Sequence, residues 1–306
     1  MKYTLGIDIG GTNIKAGIIR KGRVIRKFSL LTHGDKGFQE CINQIKIAIR
    51  NFIEDTSAIG IGIAGIIDSK NGIVRYSPNL KGWHNVELGK ILRKEFKLPV
   101  KILNDVNAIL LGEWIFGAGK GCKNVFLFTL GTGIGGAAIC EGRLLFGANG
   151  FAGEFGHTTV NFNGPQCLCG KSGCLERYVG ARYLVQLAKE QIKKTKSSLR
   201  KYKSLTPKII AEEAKKGDIV ASDVFEKIGY YIGIGVSSIV NLFDPEVVII
   251  SGGISGAGRI LFEPIRKTVK EHILGPEYRK LRIIRAKLGN DAGILGSAYF
   301  AQRNFS

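Results

Sequence analysis

The residues best suited to chemistry cluster in the middle of the chain, in the segment FAGEFGHTTVNFNGPQCLCGKSGCLE. This segment supplies one imidazole, from His157, and three thiols, from Cys167, Cys169 and Cys174. One histidine and three cysteinates form the ligand set of a closed, tetrahedral structural zinc site. Glycines between the ligands let so short a loop turn back on itself without forcing side chains to positive φ. The spacing therefore predicts a structural zinc ion held by these four residues.

An alternative for the same thiols is one disulfide and one spare thiol, since the chain has six cysteines. The other three, Cys41, Cys122 and Cys140, are scattered along the chain. The chain opens MKYTLGIDIGG, which lacks the charged and then apolar segments of a secretion signal, so we expect a cytoplasmic protein in a reducing compartment. Clustered thiols in such a compartment favour metal over a disulfide.

Two carboxylates flank the predicted zinc ligands, because Glu154 precedes His157 and Glu176 follows the last cysteine. Sugar hydroxyl groups are donors that need fixed acceptors, and carboxylates held by a rigid metal loop would provide them. The alternative is that both side chains are solvated surface charges. Beside the metal loop, we take them as candidate sugar-binding residues.

Three glycine-rich turns each follow an apolar segment that reads as a strand, at Gly10-Gly11, at 131–136 and at 252–258. Without Cβ atoms, such turns let the backbone approach phosphates and point successive N–H groups at their oxygens. Asp8 stands beside the first turn, where its carboxylate could hold hydrated Mg²⁺ against the phosphates, although a turn-stabilising aspartate is the alternative. Thr12 and Thr132 add hydroxyl donors. The turns predict a site for a nucleoside triphosphate.

Other nucleotide motifs do not fit these turns. The turn GTGIGG at 131–136 matches the dinucleotide pattern G-x-G-x-x-G, but that pattern opens a helix, whereas the following AAICEGRLLFG reads as a hairpin strand. A Walker P-loop is excluded because Pro165 stands where its first glycine should precede Gly170-Lys171-Ser172. The H-R-D loop of protein kinases does not occur either.

Asp105 is the candidate general base. Phosphoryl transfer to a hydroxyl asks for alignment, charge neutralisation and a carboxylate that accepts the hydroxyl proton. Asp105 follows the apolar strand PVKIL and precedes an apolar helix, and strand ends are where open α/β sheets place chemistry. The same position also suits a helix cap. From the residues alone, base and cap are equally supported.

The net charge of +20 raises the question of a nucleic-acid partner. The basic residues are spread along the chain, with one concentrated run from Lys189 to Lys203 that reads as a solvated helix face. We therefore expect no nucleic-acid partner beyond an accessory contact, and the same field would steer anionic ATP. No apolar run approaches the roughly 20 residues that span a bilayer, so we expect no membrane association.

Apolar periodicity predicts an α/β chain of two domains. The opening reads as three strands with turns at 10–13 and Lys21-Gly22, and the strand, glycine turn, strand pattern restarts at Asn124. This repeat predicts two related domains that face one another across a ligand cleft. Further strands are predicted at AIGIGIAG, PVKIL, PEVVIISGG and LRIIRAKL, and helices at 38–52, VELGKILRKEF, VNAILLGEWIFGAG, ISGAGRILFEPIRKTVKEHIL and NDAGILGSAYFAQRN.

The chain resembles, over nearly its whole length, the ROK family of sugar kinases, repressors and open reading frames. The shared segments, in order, are DIGGTNIKAGI, GIAGIID, SPNLKGW, LNDVNA, TLGTGIGG, AGEFGH, CLCGKSGCLE, ISGG and AGILGSA. The resemblance implies an α/β fold of two ribonuclease-H-like (actin-like ATPase) domains facing a cleft, with the zinc loop in the second. It implies a small N-terminal domain at 1–116, joined by a C-terminal helix at 291–306, and a larger domain at 117–290.

The resemblance is strongest to ATP-dependent glucokinases of this family, and it implies phosphorylation of glucose at its 6-hydroxyl with Asp105 as general base. It implies sugar contacts from Gly65, Asn79, Asn104, Asp105, Glu154, His157 and Glu176. It implies contacts to ATP and Mg²⁺ from Asp8, Gly10, Gly11, Thr12, Asn13, Lys15, Thr132, Gly133, Gly253 and Gly256. A zinc ion with four protein ligands has no open position for a water nucleophile, so its role would be structural.

Several alternatives stay open beside the glucokinase hypothesis. Relatives phosphorylate mannose, N-acetylmannosamine, N-acetylglucosamine or fructose, and Val179-Gly180 departs from the serine that many carry before this glycine. A different class is the sugar-sensing transcriptional regulator, whose winged helix precedes the first glycine hairpin. Here that hairpin begins at Gly10, so we expect a kinase without a DNA-binding domain. We also expect a homo-oligomer, either dimer or tetramer. The glucokinase hypothesis takes ATP as the donor, with polyphosphate as an open alternative.

Overall fold

The computed structural model describes residues 2–303 and divides the chain into two compact units. The first contains Met1–Cys122, Ala137–Ala152 and Lys287–Ser306, and the second contains Lys123–Gly136 and Gly153–Ala286. The boundaries predicted from the sequence, 1–116 with 291–306 and 117–290, stay a prediction. Residues 304–306 of the predicted C-terminal helix lie outside the described residues.

The first part of the chain forms eight strands and three α-helices. In order they are β1 (Tyr3–Ile9), β2 (Asn13–Arg20), β3 (Arg23–Leu31), α1 (Phe38–Arg50), β4 (Thr56–Ile63), β5 (Ile66–Asp68), β6 (Ile73–Tyr76), β7 (His84–Val86), α2 (Leu88–Phe96), β8 (Val100–Asn104) and α3 (Asp105–Phe116). One sheet has the order β3-β2-β1-β4-β8, and a small sheet has the order β5-β6-β7.

The rest of the chain adds five strands and six α-helices among the described residues. They are β9 (Val125–Leu130), β10 (Ile134–Cys140), β11 (Arg143–Leu144), α4 (Glu176–Val179), α5 (Ala181–Lys194), α6 (Pro207–Lys215), α7 (Ile219–Phe243), β12 (Val247–Ser251), α8 (Arg259–His272), β13 (Arg282–Arg285) and α9 (Ala292–Gln302). Their sheet has the order β11-β10-β9-β12-β13.

The two five-stranded sheets repeat one topology, which confirms the repeat predicted from the sequence. In each, the first three strands form an antiparallel meander and two later strands are added in parallel. Both meanders turn through two residues at positive φ, Lys21 (47°) with Gly22 (73°) and Glu141 (49°) with Gly142 (72°). Such pairs make the turn whose twist matches the flanking strands.

The last helix of the described chain, α9, packs on the first sheet through glycine. A Cβ at Gly6 would overlap the carbonyl oxygen of Ile294, and one at Gly60 would overlap that of Ser297. The contact is therefore backbone against backbone. Helix α9 covers β1 and β4, the central strands of the sheet. Helix α3 packs against α9 as well.

Several element boundaries differ from those predicted. Helix α2 begins at Leu88, because Val86 belongs to β7 and pairs with Val74. Phe52 lies beyond the end of α1 although it is buried as expected. A short 3-10 helix at Gly253–Ala257 precedes α8, which begins only at Arg259. Within residues 2–303, no helix combines the length and apolarity needed to cross a membrane.

The basic run is only partly a solvated helix face, which corrects the prediction. Helix α5 ends at Lys194, and the following segment is held by Glu213, whose side chain is 2% exposed. The Glu213 carboxylate accepts hydrogen bonds from Tyr202 Oη at 2.9 Å, from Lys216 Nζ at 2.8 Å and from the Ser198 hydroxyl. These bonds lower the pKa of Glu213 to about 2, with the bond from Lys216 as the largest cause.

Candidate active site

The four predicted zinc ligands come together in the second unit. Their ligand atoms all lie within 4.8 Å of one another. Cys169 Sγ and Cys174 Sγ are 3.6 Å apart, whereas a disulfide requires about 2.05 Å. Two sulfurs on a tetrahedral zinc, each about 2.3 Å from the metal, would be about 3.7 Å apart. The donor set and its spacing therefore fit a zinc ion, and the cluster contains no disulfide.

Backbone hydrogen bonds shape the loop that presents these thiols. Cys167 N donates to Lys171 O at 2.7 Å, and Gly173, at φ 73°, has no room for a Cβ against Asn161 O. The backbone hydrogen bond from Lys171 lowers the pKa of the Cys169 thiol. Burial raises the pKa of Cys174 to about 12. Three thiolates so close together need a cation to offset their charge, which is what a bound metal supplies.

Phe155 anchors the segment that carries Glu154 and His157. Its ring lies 5.3 Å from the ring of Phe126 and 5.7 Å from that of Phe128, on β9. A short 3-10 helix spans Phe155–His157, and both Glu154 and His157 are exposed on either side of the half-buried Phe155. The two polar side chains are thus fixed by a common apolar anchor while remaining accessible.

Glu176 is bound to the glycine turn that joins β9 and β10. Its Oε2 accepts a hydrogen bond from Ile134 N at 3.0 Å. A Cβ at Gly133 would lie 2.5 Å from the same oxygen, so only glycine leaves room for the carboxylate. The sequence pointed to Glu176 as a sugar acceptor and to Gly133 as a phosphate contact, but it did not reveal that the two touch. The glycine at position 133 is the signal in the sequence that could have suggested this contact.

The remaining glycine turns of the second unit leave their backbone accessible. No atom lies within 4 Å of a Cβ built at Gly131 or Gly253. Ala181 N, at the start of α5, donates to Gly131 O at 2.9 Å and fixes the first of these turns. Lys215 Nζ approaches Gly256 O at 3.5 Å beside the second. Open backbone next to rigid anchors is what phosphate recognition by N–H groups requires.

In the first unit, the structure separates the roles of Asn104 and Asp105. The N-cap of α3 is Asn104, whose Oδ1 accepts from Val106 N at 2.8 Å and from Asn107 N at 3.2 Å. Its Nδ2 donates to Gly65 O at 3.0 Å. Asp105 is the first helical residue. The interpretation of Asp105 as the cap is therefore wrong, and the cap is its neighbour.

Asp8 is a half-buried residue on β1, directly opposite Lys15 on β2. Burial raises its pKa, and the charge of Lys15 partly offsets that rise. A Cβ at Gly293 would lie 2.9 Å from Asp8 Cγ, so the start of α9 closes over the carboxylate. Lys15 Nζ in turn donates to Asn290 Oδ1 at 3.1 Å. A desolvated carboxylate next to a glycine turn fits the predicted Mg²⁺ role, and the sequence had not pointed to Asn290 or Gly293.

A cavity of about 550 Å³ beside the first glycine turn gathers residues from separate predictions. Gly11 and Thr12, predicted for phosphate, line it together with Asn79, predicted for sugar. A Cβ at Gly11 would lie 3.1 Å from Asn79 Cβ, so the two segments touch. His33 and Asp35 also line the cavity, and the sequence had not indicated either residue.

The structure thus places the predicted residues in two groups, one in each unit. The first unit holds Asp8, Gly10, Gly11, Thr12, Asn13, Lys15, Gly65, Asn79, Asn104 and Asp105. The second unit holds Thr132, Gly133, Glu154, His157, Cys167, Cys169, Cys174, Glu176, Gly253 and Gly256.

The chain is similar over most of its length to several known proteins. A glucokinase of Thermotoga maritima is 38% identical over 302 residues, which cover 96% of this chain and 95% of that protein. A xylose repressor of Caldicellulosiruptor bescii is 38% identical over 242 residues, 78% of this chain and 60% of the repressor. The crystal structure of a ROK family glucokinase from Streptomyces griseus, in complex with glucose and AMPPNP, matches with a TM-score of 0.85 at 36% identity and covers 99% of this chain and 100% of that one. The model of the ROK family matches residues 4–304, and the chain belongs to that family.

Proposed function

We propose that this chain is an ATP-dependent glucokinase that phosphorylates the 6-hydroxyl of glucose. The observation that carries the proposal is its similarity, over nearly its whole length, to a glucokinase whose structure contains glucose and AMPPNP. Other glucokinases match at 35% to 38% identity over almost the entire chain. The half-buried Asp8 carboxylate beside a glycine turn, and Asp105 at the start of the capped helix α3, would supply the groups that phosphoryl transfer requires.

Asp105 is the proposed general base of the reaction. It would accept the proton of the 6-hydroxyl while that oxygen forms its bond to the γ-phosphorus of ATP and the bond from that phosphorus to the β-phosphate oxygen breaks, releasing ADP. Asn104 positions it, because the cap and the bond to Gly65 fix the first turn of α3. We assign further sugar contacts to Gly65 and Asn79 in the first unit.

In the second unit we assign sugar contacts to Glu154, His157 and Glu176. His157 would ligate zinc through one ring nitrogen and hydrogen-bond a hydroxyl through the other, so that the metal fixes its tautomer. Zinc would be held by His157 with Cys167, Cys169 and Cys174, and it would supply structural order without taking part in the reaction. Glu176 has one oxygen bound to Ile134 N, which leaves its second oxygen for the sugar.

The nucleotide contacts are assigned to the glycine turns. In the first unit these are Gly10, Gly11, Thr12 and Asn13, with Asp8 and Lys15 beside them, and in the second unit they are Thr132, Gly133, Gly253 and Gly256. Mg²⁺, when bound with ATP, would neutralise phosphate charge. Asp8 would hold it through its hydration shell, because a carboxylate already desolvated by its surroundings gains most from a nearby cation.

An ADP-release assay over a panel of sugars tests the proposal. We expect glucose to give the highest kcat/KM, with N-acetylglucosamine lower by about 10²-fold for a loose pocket and by about 10⁴-fold where buried polar groups that expect a hydroxyl are left unpaired. An acetamido sugar that exceeded glucose would keep the kinase class and remove glucose as the substrate. Sugar binding without ADP release from any sugar would contradict the kinase class and indicate a sugar-responsive regulator, as the similarity to a xylose repressor allows.

A further inference from the structure

The first unit contains a second cavity, of about 890 Å³, which none of the proposed sugar or nucleotide residues lines. Strand β5, helix α2, the start of β8, the loop Phe146–Gly150 and Phe300 of α9 surround it. Small-molecule sites in proteins typically occupy about 300–1,000 Å³, so the cavity is large enough for a metabolite. It is therefore a candidate binding site that the proposed reaction does not use.

The polar lining of this cavity is strongly cationic. Four cationic side chains face one carboxylate, and these residues are Lys70, Arg75, Arg93, Lys101 and Asp68. The carboxylate is already engaged, because Asp68 Oδ2 lies 2.8 Å from Arg75 Nη2 and accepts from Asn71 Nδ2 at 2.9 Å. The bonds from Asn71 and Arg75 lower the pKa of Asp68, which keeps that pair charged. Asp68 carries one negative charge against the four positive charges of the lining.

Two of the cations are held in place at the cavity wall. Arg93 Nη1 donates to Val100 O at 3.0 Å, so the Arg93 side chain extends from α2 to the start of β8. Lys101 Nζ donates to the carbonyl oxygen of Arg303 and lies 6.0 Å from the centre of the Phe300 ring. Burial lowers the pKa of Lys101, and an anion in the cavity would offset that desolvation. The charges are thus positioned by the fold before any ligand arrives.

The rest of the lining is suited to the body of a small molecule. The rings of Phe146 and Phe300 lie 6.3 Å apart and form an apolar side of the cavity. Gly147 at φ 73° and Gly150 at φ 78° turn the adjoining loop and expose its backbone to the cavity. We propose that this cavity binds a soluble phosphorylated metabolite, with its phosphate among Lys70, Arg93 and Lys101 and its organic part against the two phenylalanines.

The proposed anion site lies apart from the proposed general base, so the two can be tested independently. Val100 lines the cavity at the start of β8, whereas Asn104 caps α3 at the end of the same strand. The four residue steps from Val100 to Asn104 span about 13 Å. The inference does not depend on glucokinase activity, because it rests on the cavity and its charges alone.

Equilibrium dialysis of the full chain with radiolabelled pyrophosphate, without Mg²⁺ and at constant ionic strength, tests the site. The cavity variant is Lys70→Gln/Arg93→Gln, and the control is Lys36→Gln/Lys94→Gln, which removes the same charge from exposed residues that do not line the cavity. We expect saturable binding that weakens at least about 10-fold in the cavity variant and less than about twofold in the control, since only close charges interact strongly in salt.

The variant Lys70→Gln alone guards against a folding defect, because Lys70 is exposed and Arg93 keeps its bond to Val100 O. It should still weaken pyrophosphate about threefold, which is the effect expected of one partly exposed charge. Absence of saturable binding to the unaltered chain would overturn the proposal. Binding that the cavity variants and the control reduce equally would also overturn it, because the anion would then follow net charge and not this cavity.

Discussion

Replacing Asn104 by alanine separates the cap of α3 from the proposed base beside it. The substitution removes an oxygen that accepts from Val106 N and Asn107 N, and an amide nitrogen that donates to Gly65 O. Loss of an N-cap costs about 1 kcal/mol, and loss of one further hydrogen bond costs about 1 kcal/mol. We therefore expect Asn104→Ala to lower the free energy of unfolding by about 2 kcal/mol.

Asn104→Asp is the matched variant for this measurement. Its carboxylate still accepts from both backbone N–H groups, but it cannot donate to Gly65 O, so only the second contribution of about 1 kcal/mol is lost. Asp105→Asn leaves the cap intact and removes a charge at the first turn of α3, which is worth about 0.3–1 kcal/mol. The same change should lower kcat by about 10² or more, the scale of a positioned general base.

Chemical denaturation followed by circular dichroism gives the unfolding free energies, and ADP release under saturating glucose and ATP gives kcat. The order of stability should be Asp105→Asn and Asn104→Asp above Asn104→Ala. An Asn104→Ala protein as stable as the unaltered chain would refute the capping role. An Asp105→Asn protein with near-normal kcat would refute the assignment of Asp105 as the base.

Three further predictions concern the metal loop, a buried carboxylate and helix packing. Cys169→Ser should lower the zinc content and raise the KM for glucose, because the metal loop loses a ligand. Cys140→Ser, which lies outside the cluster, should leave the zinc content unchanged. Zinc-free protein with full activity would contradict a structural role for zinc. The pKa of Glu213 falls from 4.5 to about 2 on folding, so its carboxylate adds stability above pH 4.5 that is lost as the pH falls toward 2. Glu213→Gln should therefore lower the denaturation midpoint at pH 7, and the difference from the unaltered chain should shrink between pH 4.5 and pH 2. A difference that does not change with pH would contradict this role of Glu213. Gly60→Ala should cost about 3 kcal/mol, because its Cβ would overlap the backbone of Ser297; a cost below about 1 kcal/mol in a denaturation experiment would contradict the close packing of α9.

The strands and turns of the two sheets were predictable because they depend on local patterns. Alternating and continuous apolar runs define β1 and β9, and the pairs Lys21-Gly22 and Glu141-Gly142 define the turns that follow β2 and β10. The clustering of His157 with Cys167, Cys169 and Cys174 was predictable for a similar reason, since their residue types and short spacing limit the chemistry. Both predictions use information contained within a few neighbouring residues.

Helix α7 was not predicted, although it is the longest helix of the described chain. Its glycines read as helix breakers in isolation, but a Cβ at Gly229 would lie 2.5 Å from Pro264 and one at Gly233 would lie 2.5 Å from Thr268. Gly229 and Gly233 allow α8 to pack close to the backbone of α7. A preference created by tertiary packing is not visible in local propensity.

The finer details of the site depend on contacts between distant segments. Asn104 and Asp105 are both good cap residues, so only the observed end of β8 shows which of them caps α3. The bond between Glu176 and Ile134 N joins residues far apart in sequence, and so does the contact of Gly293 with Asp8. The sequence indicated most of these residues as functional, but it contains no local pattern that pairs them.

The most direct test of the proposed function is identification of the reaction product. The purified chain is incubated with ATP, Mg²⁺ and ¹³C-labelled glucose, and the product is observed by ³¹P and ¹³C nuclear magnetic resonance. The account predicts stoichiometric ADP and a phosphate ester on carbon 6 of glucose, with no ester formed by Asp105→Asn over the same period. A phosphate at another carbon, or unchanged glucose beside intact ATP, would contradict the account.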